Sequence, residues 1–456
     1  MMEDTIAALS TAPQASGIHV IRMSGGQSRE ILMQVFEPAA DVTEMEHGRM
    51  YFGHVMDNGV FLDEVYAVSF YAPKSYTGED VAEIQCHGAS VLSEEILKLL
   101  FRHGAVPAQP GEFTKRAFLN GRIDLVQAEA VMDVINSSAK AASRNAFEQL
   151  EGRFSREIGD WKERLVDVLA NIDADIDFPE ADIEVVDRSA LVKSLELVQS
   201  RMEQMLSTVE TGKILKEGIR LVICGVPNAG KSSLMNTLLG QDRAIVTEIP
   251  GTTRDVLEEA VSINGVKLRV FDTAGVHDTQ DYVENIGIER TRKALADADV
   301  VLLLIDGSQS QLSQGDEELI QLSAGKKRIV AVNKSDVMDD DGEIVKQTEA
   351  EAGQAVLEIS AKTGDGVELL RQKIYELAVG ADLGEGAVIT NARQAHCLRA
   401  GAEALKQAVE EMRSGVPLDI AGISVREAYS RVLELVGEEI SDEVIDRIFE
   451  SFCLGK

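Results

Sequence analysis

The chain has 456 residues, 45% apolar and 27% charged, with 77 acidic against 45 basic residues and a formal net charge of −32. That length supports two to four domains with separate cores, and the composition is that of a globular protein. So negative a surface repels phosphate backbones, which excludes a dominant nucleic-acid grip by this chain alone and leaves much of any such contact to a basic partner. The apolar run Val300 to Ile305 is far short of the ~20 residues that span a bilayer. The start, "MMEDTIAALSTAP", lacks the basic region of a signal peptide, so neither export nor a membrane anchor is expected. Cys86, Cys224, Cys397 and Cys453 are scattered with no Cys-x-x-Cys pair, against a disulfide scaffold or zinc site and in keeping with a reducing cytoplasm.

Residues 1–120 read as an α+β domain: β-type runs "IHVIRMSG" and "EVYAVSFYAP" are broken by Gly and Pro, and "SVLSEEILKLLFRHG" is helical. Over 121–218 the pattern is helical, with apolar residues at three- and four-residue spacing and no proline in its two long periodic runs. From 219 to 379, "IRLVICG", "KLRVFDTAG", "DVVLLLID", "RIVAVNKSD" and "AVLEISAKT" are strand-like and alternate with helices, the rhythm of a largely parallel sheet. "INGV" (Ile263 to Val266) reads as a hairpin turn, making one strand antiparallel. Over 380–456 helices return. Ser424 with Glu427 reads as a capping box and Gly437 as a stop, and a last helix from Ser441 puts Val444, Ile445, Ile448, Phe449 and Phe452 on one side. The α/β domain is therefore expected as an insertion in a helical one.

"GVPNAGKSS" fits G-x-x-x-x-G-K-[ST] through Gly225, Gly230, Lys231 and Ser232, between an expected strand and helix. Its glycines let backbone N–H groups wrap phosphates, Lys231 adds a point charge, and Ser232 is a Mg²⁺ ligand. Asn228, Ala229 and Ser233 complete the expected phosphate contacts. "DTAG" (Asp272, Thr273, Ala274, Gly275) ends the next strand, with Asp272 able to hold Mg²⁺ through water and the Gly275 N–H able to meet the γ-phosphate. In "NKSD" (Asn333, Lys334, Ser335, Asp336), Asp336 can accept guanine's N1–H and 2-amino hydrogens; taken alone the stretch is equally an ordinary turn. "SAK" (Ser360, Ala361, Lys362) brings a backbone N–H toward guanine O6. Four elements in register define a Ras-like P-loop GTPase domain within a multidomain α/β chain.

Familiar GTPases place a water-orienting Gln directly after "DTAG" and use an arginine finger. Here that position is Val276, so other groups must take both roles or the domain is a slow switch. "IVTEIPGTTRD" sits where switch I belongs, with Thr252 and Thr253 as phosphate and metal contacts. The Asn228 side chain can join switch I carbonyls around a monovalent cation, and K⁺ there would bring charge to where an arginine finger reaches. Glu284 in "DYVENIGIER" is either a water-orienting base or a carboxylate favoured near a helix N-terminus.

These motifs, with "SYTGEDVAEIQCHG", "PGEFTKRAFLNGRIDLVQAEAV", "IDFPE" and the final "FCLGK", resemble the MnmE (TrmE) family of tRNA-modification GTPases over essentially the whole chain. The resemblance implies an N-terminal folate-binding domain that forms a homodimer, a helical domain, and an inserted GTPase domain that dimerises with K⁺ during hydrolysis. By position, Asn228, Thr247, Ile249 and Thr252 would surround K⁺, Ser232 and Thr253 would hold Mg²⁺, and Glu284 would orient water through a bridging water. Arg22, Glu79, Arg122 and Lys456 would bind a tetrahydrofolate, as the 5,10-methylene or 5-formyl derivative. It further implies a flavoprotein partner, MnmG, that carries FAD and much of the tRNA contact, and chemistry at C5 of a wobble uridine. A ribosome-assembly GTPase switch is the alternative, disfavoured by a single phosphate loop and no basic domain. For the tail, Gly455 and Lys456 are wrong for prenylation of Cys453. The amphipathic helix before it points to a tail seated in the folate site, with Cys453 either a nucleophile or a positioning group.

Overall fold

The computed structural model of the protein describes residues 4–137, 139–177, 187–240, 259–272, 295–339, 341–379 and 388–456. It divides into two units, one of Met1–Met132, Gln149–Val192 and Gln407–Lys456, the other of Asp133–Glu148 and Lys193–Lys406.

In the first unit, strands β1 (Ile6–Leu9), β2 (Ile18–Ser24), β3 (Phe36–Pro38), β4 (Met50–Asp57), β5 (Val60–Phe70), β6 (Val81–His87) and β7 (Val106–Pro107) form one sheet in the order β3-β4-β5-β6-β2-β1-β7. All neighbours are antiparallel except β1 and β7. Period-2 alternation sends Ile21, Met23 and Ile84 to one face, where helices α1 (Ser28–Val35) and α2 (Ser90–Arg102) cover them with Ile31, Leu32, Val35, Ile96, Leu99 and Leu100. The same alternation puts Arg22 and Glu83, paired in the β2–β6 register, on the opposite face.

The remaining helices are α3 (Glu112–Leu119), α4 (Leu125–Asn136), α5 (Lys140–Leu150), α6 (Arg153–Asp177), α7 (Arg188–Leu206), α8 (Val209–Glu217), α9 (Lys231–Gly240), α10 (Gln314–Leu322), α11 (Glu343–Ala352), α12 (Val367–Val379), α13 (Ala392–Arg413), α14 (Leu418–Val436) and α15 (Asp442–Glu450). In the first unit α6 buries Phe154, Ile158, Trp161, Leu165, Val168 and Ile172, a four-three repeat that keeps one stripe facing a neighbour. That neighbour is α14, which buries Ala421, Val425, Ala428, Val432 and Leu435 in the same rhythm. Ion pairs Lys162–Glu438 and Arg426–Asp173 fix the two helices as antiparallel.

Two expectations for the C-terminal helices are corrected. The apolar stripe already begins at Leu418, so α14 starts there with Pro417 before it, and Ser424 lies inside the helix, donating to Glu411 Oε2 at 2.9 Å rather than capping. Val444 faces solvent, while Ile445, Phe449 and Phe452 pack with Leu125 and Ala128. Gly437 ends α14 in the left-handed region, as expected.

In the second unit, β8 (Ile219–Cys224), β9 (Glu259–Ile263), β10 (Val266–Asp272), β11 (Val300–Asp306), β12 (Arg328–Asn333) and β13 (Leu357–Glu358) form a sheet in the order β13-β12-β11-β8-β10-β9. Only β9 is antiparallel, across the Asn264-Gly265 turn, where both residues have positive φ. Val300, Leu302 and Leu304 join the core on one face, and Val301, Leu303 and Ile305 that on the other. Burial on both faces explains why β11 reads as an unbroken apolar run.

The chain enters this sheet from α8 and leaves it through residues 388–390, and the two passages are joined. Asn145 on α5 donates to the Val388 carbonyl at 3.2 Å and accepts the Val388 N–H at 3.1 Å. Asp133 pairs with Lys216 at 2.8 Å and accepts from Thr390 at 2.9 Å. Gly212 lies so close to the Ile389 carbonyl that a Cβ would sit 1.9 Å from its oxygen.

Candidate functional site

The carboxyl ends of β8, β11 and β12 carry the nucleotide-site residues. After Cys224 the phosphate loop turns through Asn228 (φ 68°) and Gly230 (φ 95°) into α9, whose first residue is Lys231. A Cβ on Gly230 would stand 2.2 Å from Asn333 Nδ2, so glycine is required by both conformation and space. Lys231 is buried and its Nζ donates to the Gly225 and Val226 carbonyls at 2.7 and 3.0 Å, which sets the ammonium at the mouth of the loop. Ser232, Ser233 and Asn228 are exposed there.

Asn333 ties three elements together. Its Nδ2 donates to the Ala229 carbonyl at 2.8 Å, and its Oδ1 accepts the Ala361 N–H at 2.9 Å. "NKSD" is thus more than a turn: Asn333 holds the phosphate loop and the "SAK" loop in one frame. Ser360 donates to Asp336 Oδ1 at 2.7 Å and orients that carboxylate, while Lys362 lies 3.9 Å from Oδ2. Thr237 on α9 donates to the Ala361 carbonyl at 2.6 Å, fixing the same loop from the other side.

Sequence reasoning missed Asp306, the last residue of β11. It accepts Lys334 Nζ at 2.6 Å and the Ser308 N–H and hydroxyl at 3.0 and 2.6 Å. Burial pushes this carboxyl up, but the bonds from Lys334 and Ser308 together outweigh it and hold the group below the usual carboxylate range. Its position after the apolar run, facing the "NKSD" strand in a parallel ladder, is the signal that reveals it. Asp272 ends β10 as expected. Thr247, Ile249, Thr252, Thr253, Thr273, Ala274, Gly275 and Glu284 lie outside the described residues. Among the described residues, no cluster of three or more His, Cys, Asp and Glu forms a metal cage.

A second site lies on the open face of the N-terminal sheet. A cleft of about 480 Å³ is walled by Arg22, Phe70, Lys74, Tyr76, Glu83 and Arg122, with Ser75 and Val81. Arg22 donates its Nε–H to Glu83 at 2.7 Å and lies over the Tyr76 ring at 5.1 Å. Arg122 donates to the Tyr76 carbonyl at 2.7 Å and faces the same ring at 5.7 Å. Tyr76 and Glu83 were not anticipated. Of the four residues expected to hold folate, Arg22 and Arg122 are on the wall. Glu79 is turned to Ser24 Oγ at 2.8 Å and to the buried Arg116 guanidinium at 3.1 Å.

The tail runs past α3. Gly111 N–H donates to the Cys453 carbonyl at 3.3 Å and Phe113 N–H to the Lys456 carbonyl at 3.2 Å, while Phe452 is buried and the Cys453 thiol exposed. Gly455 (φ 85°) fits where a Cβ would be 2.2 Å from the Leu9 carbonyl oxygen. The Phe113 ring lies 5.8 Å from the Arg22 guanidinium, so one residue borders both tail and cleft. The tail is thus docked along the start of α3. Cys86, by contrast, is buried in the sheet and its thiol is pushed up to about 11 by burial, with the Asp63 carboxylate adding to it, which leaves it protonated at neutral pH.

Known proteins are similar to this chain over its whole length. The tRNA modification GTPase MnmE of Natranaerobius thermophilus is 44% identical over 465 residues, covering 100% of both chains. That of Acetivibrio thermocellus is 40% identical over 458 residues, covering 100% of this chain and 99% of its own. A family model described as the MnmE helical domain matches residues 125–453, and one described as the GTP-binding protein TrmE N-terminus matches residues 5–122. The chain belongs to the MnmE family. The MnmE helical model spans α4 to the tail and so contains the nucleotide site, and the TrmE model contains Arg22, Tyr76 and Arg122. No helix among the described residues is long and apolar enough to cross a membrane.

Proposed function

We propose that the chain is a potassium-activated GTP hydrolase that acts with the flavoprotein MnmG to modify C5 of the wobble uridine of certain tRNAs, using a one-carbon unit from tetrahydrofolate. The observation that carries the GTPase part is the Asn333 bridge, with Asp336 oriented by Ser360 beside it. A carboxylate held there accepts two hydrogens from guanine and finds none to accept from the same edge of adenine except at the 6-amino group, which selects GTP.

Within the phosphate loop, Lys231 exchanges its carbonyl partners for phosphate oxygens, and the glycine-rich backbone supplies further donors. Ser232, with Thr253, is suited to Mg²⁺, which neutralises phosphate charge when bound. Asn228 is exposed at the loop's turn, with Thr247, Ile249 and Thr252 as its partners around K⁺, and Glu284 orients the water. The N-terminal cleft suits a folate: its aromatic wall fits a flat ring and its guanidinium groups fit carboxylates. Cys453, exposed on a tail that is held beside Phe113, is the group we assign to positioning or nucleophilic attack at that site. The assembly we propose is a cytoplasmic homodimer through the N-terminal domain, with GTPase domains pairing during hydrolysis, and with FAD and most tRNA contacts on MnmG.

GTP turnover in matched KCl and NaCl tests the cation. We expect turnover at least tenfold faster in K⁺, and Glu284→Ala should slow hydrolysis while GTP affinity is kept. Equal rates in the two salts would remove the potassium site, and full turnover by the variant would remove the Glu284 assignment.

A further inference from the structure

The N-terminal cleft also says which end of its ligand it grips, an inference that rests on the folate reading above. In a chain of net charge −32, this one cleft gathers Arg22, Lys74 and Arg122, with Glu83 as the single carboxylate on its wall. Glu83 takes only the Arg22 Nε–H, and among the described residues Lys74 Nζ has no ion pair. The cations are graded in depth. Arg22 is half-buried, its side chain 18% exposed, and sits over Tyr76 and Phe113, whereas Lys74 and Arg122 stand exposed at the rim. The inner end adjoins Phe113, whose N–H holds the tail, and the Tyr76 hydroxyl is fixed to Thr114 Oγ1 at 2.9 Å.

A flat ligand stacked on Tyr76 therefore has an inner end toward the tail and an outer end among cations. We infer that the cleft holds the carboxylate-bearing end of a folate at Arg122 and Lys74, with Tyr76 as the stacking platform, and that it prefers poly-γ-glutamylated forms. Each added γ-glutamyl unit brings another carboxylate to the rim, where exposed pairs of opposite charge are worth about 0.2–1 kcal/mol, or about 1.4- to fivefold in affinity. The reactive ring is thereby directed inward, toward Cys453.

The test is equilibrium binding of 5-formyltetrahydrofolate to the full chain, as monoglutamate and as triglutamate. The wild type should bind the triglutamate several-fold more tightly, with the difference shrinking as salt rises. Lys74→Ala should lower triglutamate affinity more than monoglutamate affinity, bringing the ratio toward one. Tyr76→Ala should weaken both probes by about tenfold or more, the loss expected for a stacking platform, and Tyr76→Phe should bind as the wild type does. GTP affinity and the thermal midpoint, measured on the same samples, identify any variant that has misfolded. Equal wild-type affinity for the two probes, or a preference that survives Lys74→Ala, overturns the inference while leaving the folate site standing. Failure of both probes to bind the wild type overturns the folate site itself.

Discussion

Replacing Asn333 with alanine removes one side chain and orphans two backbone groups in the interior. The Ala229 carbonyl loses its 2.8 Å donor and the Ala361 N–H its 2.9 Å acceptor, both in buried residues. An orphaned buried group costs about 1–3 kcal/mol, so the pair costs about 2–6 kcal/mol unless water reaches them. Part of that cost falls on the nucleotide-free protein, because the bridge is already formed there. The rest appears in binding, since GTP must then hold the phosphate loop and the "SAK" loop in register by itself. Native-state hydrogen exchange at the Ala361 amide reads the first part directly, and a GTP titration reads the second. We expect Asn333→Ala to speed Ala361 exchange by at least tenfold and to raise the GTP dissociation constant by at least tenfold. Unchanged Ala361 protection together with unchanged GTP affinity would refute the bridge as the element that joins the loops.

Three further outcomes follow from single contacts. Asp336→Asn should leave stability unchanged while shifting preference from GTP toward xanthosine triphosphate, because an amide offers a donor where guanine also presents one; a variant still selective for GTP counts against Asp336 as the reader of the base. Asp306 has its folded pKa lowered, so its contribution is present above the unfolded carboxylate value of about 3.9 and is lost as pH falls through the lower folded one; Asp306→Asn should flatten the acid limb of GTPase-unit stability below about pH 4, and an unaltered limb excludes that linkage. Gly455→Ala places a methyl 2.2 Å from the Leu9 carbonyl oxygen at a φ of 85°, so the tail should undock and exchange at the Phe113 amide should accelerate, with intact protection as the contrary result.

What could be read from the sequence was what depends on neighbours along the chain. The phosphate loop, the Asn264-Gly265 turn and the Gly437 stop are each set within a few residues, and the structure has them where the pattern put them. The start of α14 was misread because Ser424 and Glu427 have capping-box spacing, while the apolar stripe that decides the boundary begins a turn and a half earlier at Leu418. Asp306, Tyr76 and Glu83 were missed because their roles depend on pairing between distant segments. Arg22 meets Glu83 only through the β2–β6 register, sixty-one residues apart, and Asp306 meets Lys334 across adjacent parallel strands. Motif reading found Asp336 as a base contact and Asn333 as part of the same motif, but that Asn333 ties the phosphate loop to "SAK" is a tertiary fact.

Wobble-uridine nucleoside analysis tests the central claim most directly. In a strain lacking this chain, the aminomethyl-type modification at C5 should disappear from tRNA, and should return with the wild-type gene but not with Lys231→Ala, which removes the phosphate-loop charge. An unchanged nucleoside profile in the strain lacking the chain, with a defect in ribosome assembly instead, would contradict the account and favour a GTPase switch acting on ribosomes.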